Sequence, residues 1–132
     1  MSPEITWMAA SAILTALMFV PYILAYITEV GLVAALTQRV GDDVGQAAWV
    51  QRAQWAHRNM IENMVVFGPL AVAVSVVGVS SAWTIGAAAA FFWLRLAHYV
   101  MYCFGIPVIR TLLFAGGVLC QIILAIALLA GG

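Results

Sequence analysis

The sequence predicts an all-α integral membrane protein, a bundle of four bilayer-spanning helices. Charge, patterning and length point there. Only 8% of the 132 residues are charged and 66% are hydrophobic, whereas an ordinary soluble domain carries roughly 25% charge. The apolar residues come in blocks rather than amphipathic stripes: residues 60–93 hold a single charge, Glu62, and residues 111–132 hold none. Four such blocks, 5–28, 60–79, 83–104 and 108–130, each reach the ~20 helical residues that a ~30 Å hydrocarbon core demands. None alternates polar with apolar as barrel strands do over about 10 residues, so a β-barrel is excluded. The chain is expected to form one domain over residues 1–132.

The first block has no basic residue before it and is longer than a signal-peptide core, so it is expected to be a retained spanning helix. The apolar pattern resumes after Glu29 as far as Leu36, which extends this helix beyond the bilayer. Residues 41–45, Gly-Asp-Asp-Val-Gly, form a turn-rich link. Helical patterning then runs from Gln46 through Val77, the first turns polar enough to stand at the headgroups. Residues 78–81, Gly-Val-Ser-Ser, make a short turn, with Trp83 placed at the interface. Gly105-Ile106-Pro107 separates the third helix from the fourth. Helices 2 and 3 are therefore an antiparallel hairpin.

Arg39, Arg52, Arg58 and Arg110 all fall on the side that holds the links after helices 1 and 3, while the other side carries no basic residue. The positive-inside rule then puts those links in the cytoplasm and both termini outside. Cys103 and Cys120 are expected to be packing residues, since the sequence has no Cys-x-x-Cys and no histidine cluster. It also has no phosphate loop, no dinucleotide fingerprint and no basic patch interleaved with aromatics, so neither a metal nor a nucleic acid is expected.

The informative residues are polar ones placed in lipid, where an ionised side chain costs several kcal/mol unless it is paired or faces a cavity. Arg95 lies well inside helix 3 and Glu62 inside helix 2. Counted from the turn, Glu62 is about 18 residues back and Arg95 about 15 forward, a depth difference of about 5 Å at 1.5 Å per residue. A Glu62–Arg95 pair is therefore expected. By the same count His98 falls level with Glu62 and Tyr102 level with Asn59. Arg95, His98, Tyr99 and Tyr102 share a helical face, as do Arg52, Ala56, Asn59 and Glu62-Asn63. The hairpin would present Arg58, Asn59, Glu62, Arg95, His98 and Tyr102 to one polar region, with Arg110 at its mouth. A set of this size exceeds what a helix-orienting ion pair needs. Its net positive charge suits an anionic, peptide-like ligand.

Two segments also carry a family resemblance. His57-Arg58-Asn59-Met60-Ile61-Glu62 resembles the helix-2 signature of the membrane-associated proteins in eicosanoid and glutathione metabolism, the MAPEG family. Arg95-Leu96-Ala97-His98-Tyr99-Val100-Met101-Tyr102 resembles its helix-3 signature, and Pro107 with Arg110-Thr111 the start of its helix 4. The resemblance runs from about Arg52 to the end and is nearest to the short prokaryotic members. It implies a homotrimer of four-helix subunits, in a bacterial inner membrane, that binds glutathione as co-substrate between subunits near the cytoplasmic face. By position, Asn59 and Glu62 would hold the peptide's polar groups, Glu62 its amino group, and Arg58 a carboxylate. His98 and Tyr102 would line the pocket, Arg95 would order it, and Arg110 would face the sulfur with Thr111 beside it. Trp55 stands where some of the eicosanoid enzymes have a further basic residue, and Phe114 where one of them has a tyrosine; the resemblance does not extend to eicosanoid specificity and leaves general thiol chemistry open.

The expected function is a membrane-embedded glutathione transferase or peroxidase acting on a lipophilic small molecule that enters from the lipid. An always-charged guanidinium favours the thiolate, the nucleophilic form of a thiol. Two other readings are a non-catalytic lipid- or protein-binding relative and a small multidrug-type transporter. The transporter fits less well, because a coupling carboxylate is free to titrate and Glu62 has arginines available to hold it ionised.

Overall fold

The computed structural model describes residues 1–37 and 47–131; Arg39 and the turn-rich link at 41–45 lie outside them. The described chain forms six helices: α1 (Pro3–Leu17), α2 (Phe19–Val30), α3 (Leu32–Thr37), α4 (Ala48–Val77), α5 (Ala82–Cys103) and α6 (Pro107–Gly131). Helices α1 and α2 together make one 28-residue span, and with α4, α5 and α6 they give four helices long and apolar enough to cross a bilayer. The protein is a multi-pass integral membrane four-helix bundle.

Each boundary has a local cause. Ser2 caps α1, its hydroxyl accepting from the Ile5 amide at 3.3 Å, and Pro3 stands in the first turn, where its missing N–H costs nothing. The first span breaks at Met18 because Pro21 has no N–H for the Leu17 carbonyl. Gly78 ends α4 in the left-handed region at φ 80°, returning its N–H to Val74. Ser81 and Thr84 form a reciprocal capping box at the start of α5. Gly105, at φ 73°, turns the chain into Pro107, the first residue of α6.

The bundle is held by close packing. Lipid is as apolar as leucine, so helices in a bilayer associate through small residues and polar contacts rather than through hydrophobic burial. Ala53, Ala56 and Ala71 of α4 are fully buried, as is Ala88 of α5. The Phe67 and Phe91 rings stack at 3.9 Å between α4 and α5. On α6, Gly116 and Gly117 let α5 approach: a Cβ at Gly117 would stand 3.3 Å from the Arg95 Cδ. At the α4–α5 turn, Glu4 is fully buried, and its Oε1 accepts from Ser80 Oγ at 2.7 Å and Thr84 Oγ1 at 2.6 Å. Beside it Ser75 Oγ donates to Ser2 Oγ at 2.8 Å. These bonds fasten the start of α1 to the α4–α5 hairpin.

Candidate functional site

At the opposite end of the bundle α4, α5 and α6 enclose a cleft of about 220 Å³, lined by Asn59, His98, Tyr102, Arg110, Thr111 and Phe114. The helical repeat explains the set. His98 and Tyr102 are one turn apart on α5, and Arg110 and Phe114 one turn apart on α6. The Arg110 guanidinium lies over the Tyr102 ring, 4.4 Å from its centroid. This contact folds the arginine back over the cleft instead of leaving it extended toward the headgroups. His98 packs against Tyr102 and Phe114, with ring centroids 5.5 and 6.4 Å apart.

Arg95 stands behind this lining, in contact with Asn59 and Phe114. It is fully buried, and its Nη2 donates to Asn59 Oδ1. Its Cζ also lies 5.9 Å from the Phe114 ring centroid. Its Nε and Nη1, and His98 Nδ1, are buried with no partner among the described residues. Asn59 is fixed in turn by Asn63, whose Nδ2 donates to the Asn59 carbonyl at 2.8 Å and to Asn59 Oδ1 at 3.3 Å. Gln121 of α6 donates to Asn63 Oδ1 at 3.1 Å.

The expected Glu62–Arg95 pair does not form within the chain. Glu62 is exposed while Arg95 is fully buried and bonded to Asn59. The reason is helix rotation. The face of α4 turned into the bundle runs through Ala53, Ala56, Met60, Asn63, Phe67, Ala71 and Val74. Glu62, one residue before Asn63, is turned about 100° away from it. The Arg95 side chain reaches instead to Asn59, three residues from Glu62. Arg58 is likewise exposed and lies outside the cleft.

Arg58 instead lines a second groove, of about 370 Å³, with Tyr22 and Ile23 of α2 and Gln54, Trp55, His57 and Ile61 of α4. There the Tyr22 hydroxyl shares a hydrogen bond with His57 Nδ1 at 2.7 Å. Arg52, counted with the polar face of α4, serves the turn between α5 and α6. Its Nε donates to the Cys103 carbonyl at 3.0 Å, and its guanidinium lies against Gly105, where a Cβ would come within 3.3 Å. Among the described residues no three His, Cys, Asp or Glu side chains gather as a metal site would require.

Gln121 and Tyr22 were not anticipated. Gln121 is the lone carboxamide of α6, and an amide in an apolar span is itself a signal of an interhelical partner. Tyr22 beside Pro21 carries no comparable sign.

Fold and cleft together define a small multi-pass membrane protein whose intramembrane pocket is cationic and rich in hydrogen-bond donors. The MAPEG family model matches residues 5–130, nearly the whole chain, and the protein belongs to the MAPEG family. It is thereby a membrane protein related to glutathione and eicosanoid metabolism. No curated protein and no solved structure matches the chain.

Proposed function

We propose that the protein is a glutathione-dependent transferase or peroxidase whose catalytic group is Arg110. One observation carries the reading: the Arg110 guanidinium lines a cleft, that of Arg95 packs behind Asn59 and Phe114 of its lining, and among the described residues no carboxylate lines it. A cation in a low-dielectric site needs an anion. Glutathione brings two carboxylates and, once deprotonated, a thiolate. Arg110, held over Tyr102, is the group beside which the sulfur sits, and it favours the thiolate by direct charge attraction. Asn59, His98, Tyr102 and Thr111 hold the polar remainder.

The thiolate attacks an electrophilic carbon of a lipophilic co-substrate, forming the S–C bond as the leaving group departs with its electron pair. With a hydroperoxide it attacks the terminal oxygen. The S–O bond forms, the O–O bond breaks, and the alkoxide takes a proton. A second glutathione then converts the sulfenic acid to the disulfide and water. The bilayer supplies and concentrates the apolar partner.

A cleft of about 220 Å³ is small for a whole tripeptide, and Arg58 and Glu62 lie on the other flank of α4. A homotrimer accounts for both. Trp55, Arg58, Glu62, Val65, Pro69, Val72 and Val76 are all exposed, and they repeat at alternating spacings of three and four, the period of a helix-to-helix seam. Association around this row brings the Arg58 groove of one subunit toward the cleft of the next. Arg58 then meets a glutathione carboxylate and Glu62 its ammonium group.

The test is to mix the purified protein with glutathione near neutral pH and record the ultraviolet absorbance of the thiolate. The wild-type protein is expected to produce it and Arg110→Leu to lose it while retaining much of the binding. Conjugation of a model electrophile by Arg110→Leu at the wild-type rate would falsify the assignment.

A further inference from the structure

We infer that Gln121 and Asn63 are positioning residues for the cleft: a polar chain that starts deep in α6 and fixes the orientation of Asn59 and, through it, the Arg95 guanidinium. Neither residue lines the cleft. Each is 8% exposed, and Gln121 is the lone side-chain amide of α6.

The chain of bonds has a direction. Gln121 Nε2 donates to Asn63 Oδ1 at 3.1 Å and to the Asn63 carbonyl at 3.3 Å. With its oxygen so engaged, Asn63 presents its Nδ2 to Asn59, donating to the carbonyl at 2.8 Å and to Oδ1 at 3.3 Å. Asn59 Oδ1 is thereby turned toward α5, where it accepts from Arg95 Nη2. An amide that flips presents a donor where an acceptor stood. A flipped Asn59 would aim an N–H at a guanidinium, which has only donors. Gln121 therefore selects the Asn59 rotamer that Arg95 requires. That rotamer leaves Arg95 Nε and Nη1 without a partner among the described residues, one side chain behind the lining of the cleft.

Interhelical amide bonds also serve simply to fasten helices. What separates the two roles is where the effect of a change appears. A fastener lowers stability alone. A positioning chain moves Arg95 and the affinity of the cleft, and it acts only through Asn59. The binding part of the test rests on the reading of the cleft as a glutathione site; the spectroscopic part does not.

The experiment uses the full chain in detergent with ¹⁵N-labelled arginine, the Arg95 Nε–Hε resonance being assigned by its loss in Arg95→Lys. Gln121→Leu, and Gln121→Asn, which keeps an amide but shortens its reach, are expected to shift or broaden that resonance without any thiol present. Val74→Ala, a buried change on α4 away from the chain, is expected to lower the melting temperature and leave the resonance in place. Gln121→Leu is also expected to weaken glutathione binding about tenfold, the worth of one well-placed hydrogen bond, and to add nothing in an Asn59→Ala background. If both Gln121 variants melt lower yet keep the wild-type Arg95 resonance, the chain is a fastener and the inference is overturned. A wild-type protein that binds no glutathione defeats the proposed function, and the Arg95 resonance still decides the inference.

Discussion

Two polar clusters sit at opposite ends of this bundle, and they differ in sign: one is built on a carboxylate, the other on a guanidinium beside a polar cleft. At the α4–α5 turn a buried carboxylate, Glu4, is met by two hydroxyls that each donate to it. The residues involved belong to α1, to α5 and to the turn between α4 and α5, so the bonds hold the fold closed. At the α5–α6 end the buried charge is a guanidinium with one partner, two idle nitrogens and a cleft above it. Polar groups in a bilayer are tolerated where they satisfy one another or where they serve a ligand. The first cluster is mostly the former case, with Glu4 Oε1 doubly hydrogen-bonded and Oε2 without a partner among the described residues. The second, beside a polar cleft, is under the proposed function the latter.

The largest effect that separates the two ends is expected from Arg110→Leu. Loss of a preorganised group that stabilises developing or resident negative charge costs about a hundredfold or more in turnover. Conjugation assays with an aryl halide should show that loss, with thermal unfolding close to wild type, since Arg110 is half-buried and packs against Tyr102 rather than in the core. An Arg110→Leu protein that unfolds early but turns over normally would erase the distinction between the ends.

The opposite pattern is expected of Glu4→Leu. Hydrogen bonds to a charged group are each worth about 1.5–3 kcal/mol, and the change also takes the acceptor from the Ser80 hydroxyl, while Thr84 Oγ1 keeps the Ser81 carbonyl. A stability loss of about 3 kcal/mol should appear in thermal unfolding in detergent, with the turnover of the folded protein unchanged. Reduced turnover at full stability would show that the clasp communicates with the cleft.

How much of this was legible in the sequence follows from the physics of the solvent. A bilayer demands apolar length, so the spans, the Gly78 turn and the Pro107 start follow from composition and two breakers. The shared face of His98 and Tyr102 and the placement of Arg110 just past the α5–α6 turn were legible for the same reason: they need only helical periodicity. Partner choice was not legible. Asn59 and Glu62 are three residues apart, near enough to be assigned one face, yet packing against α5 turned Asn59 inward and left Glu62 exposed. Periodicity fixes positions relative to one another on a helix; the rotation of the helix is fixed by which of its residues pack inward, here Met60, Phe67 and Ala71. Glu4 with Thr84, and Gln121 with Asn63, are contacts between residues far apart in the chain, each a lone polar residue whose partner only the fold supplies.

Glu62 sharpens the comparison further, because it belongs to neither cluster within the subunit. Glu62→Gln is expected to leave the unfolding of the subunit unchanged, as an exposed side chain should. If it meets the ammonium group of glutathione from a neighbouring copy, calorimetric titration should show binding weakened about tenfold. Equal affinity in Glu62→Gln would confine the site to Asn59, His98, Tyr102 and Arg110 and remove the second subunit from it. Native mass spectrometry in a mild detergent, expected to show trimers, tests the same point directly.

The smallest effect is expected at Arg52, and it probes how the cleft end is braced. The last carbonyls of a helix lack intrahelical partners and carry partial negative charge. Arg52 meets both needs at α5: its Nε donates to the Cys103 carbonyl, and its guanidinium lies flat against Gly105, in the turn that delivers Pro107 and Arg110. Arg52→Leu removes that bond and leaves the aliphatic packing largely in place, so the stability loss should be about 1 kcal/mol. The turn joins the helix bearing Tyr102 to the helix bearing Arg110, so loosening it should also lengthen the 4.4 Å contact between them. A few-fold fall in turnover with unchanged glutathione affinity is the expected signature, measured by steady-state conjugation alongside calorimetry. Gly105→Ala tests the same brace from the other side. Its Cβ meets the Arg52 guanidinium, and alanine is strained at φ 73°, so it should cost more stability than Arg52→Leu. If Gly105→Ala is the milder change, the turn is held by its own backbone and Arg52 is incidental to it.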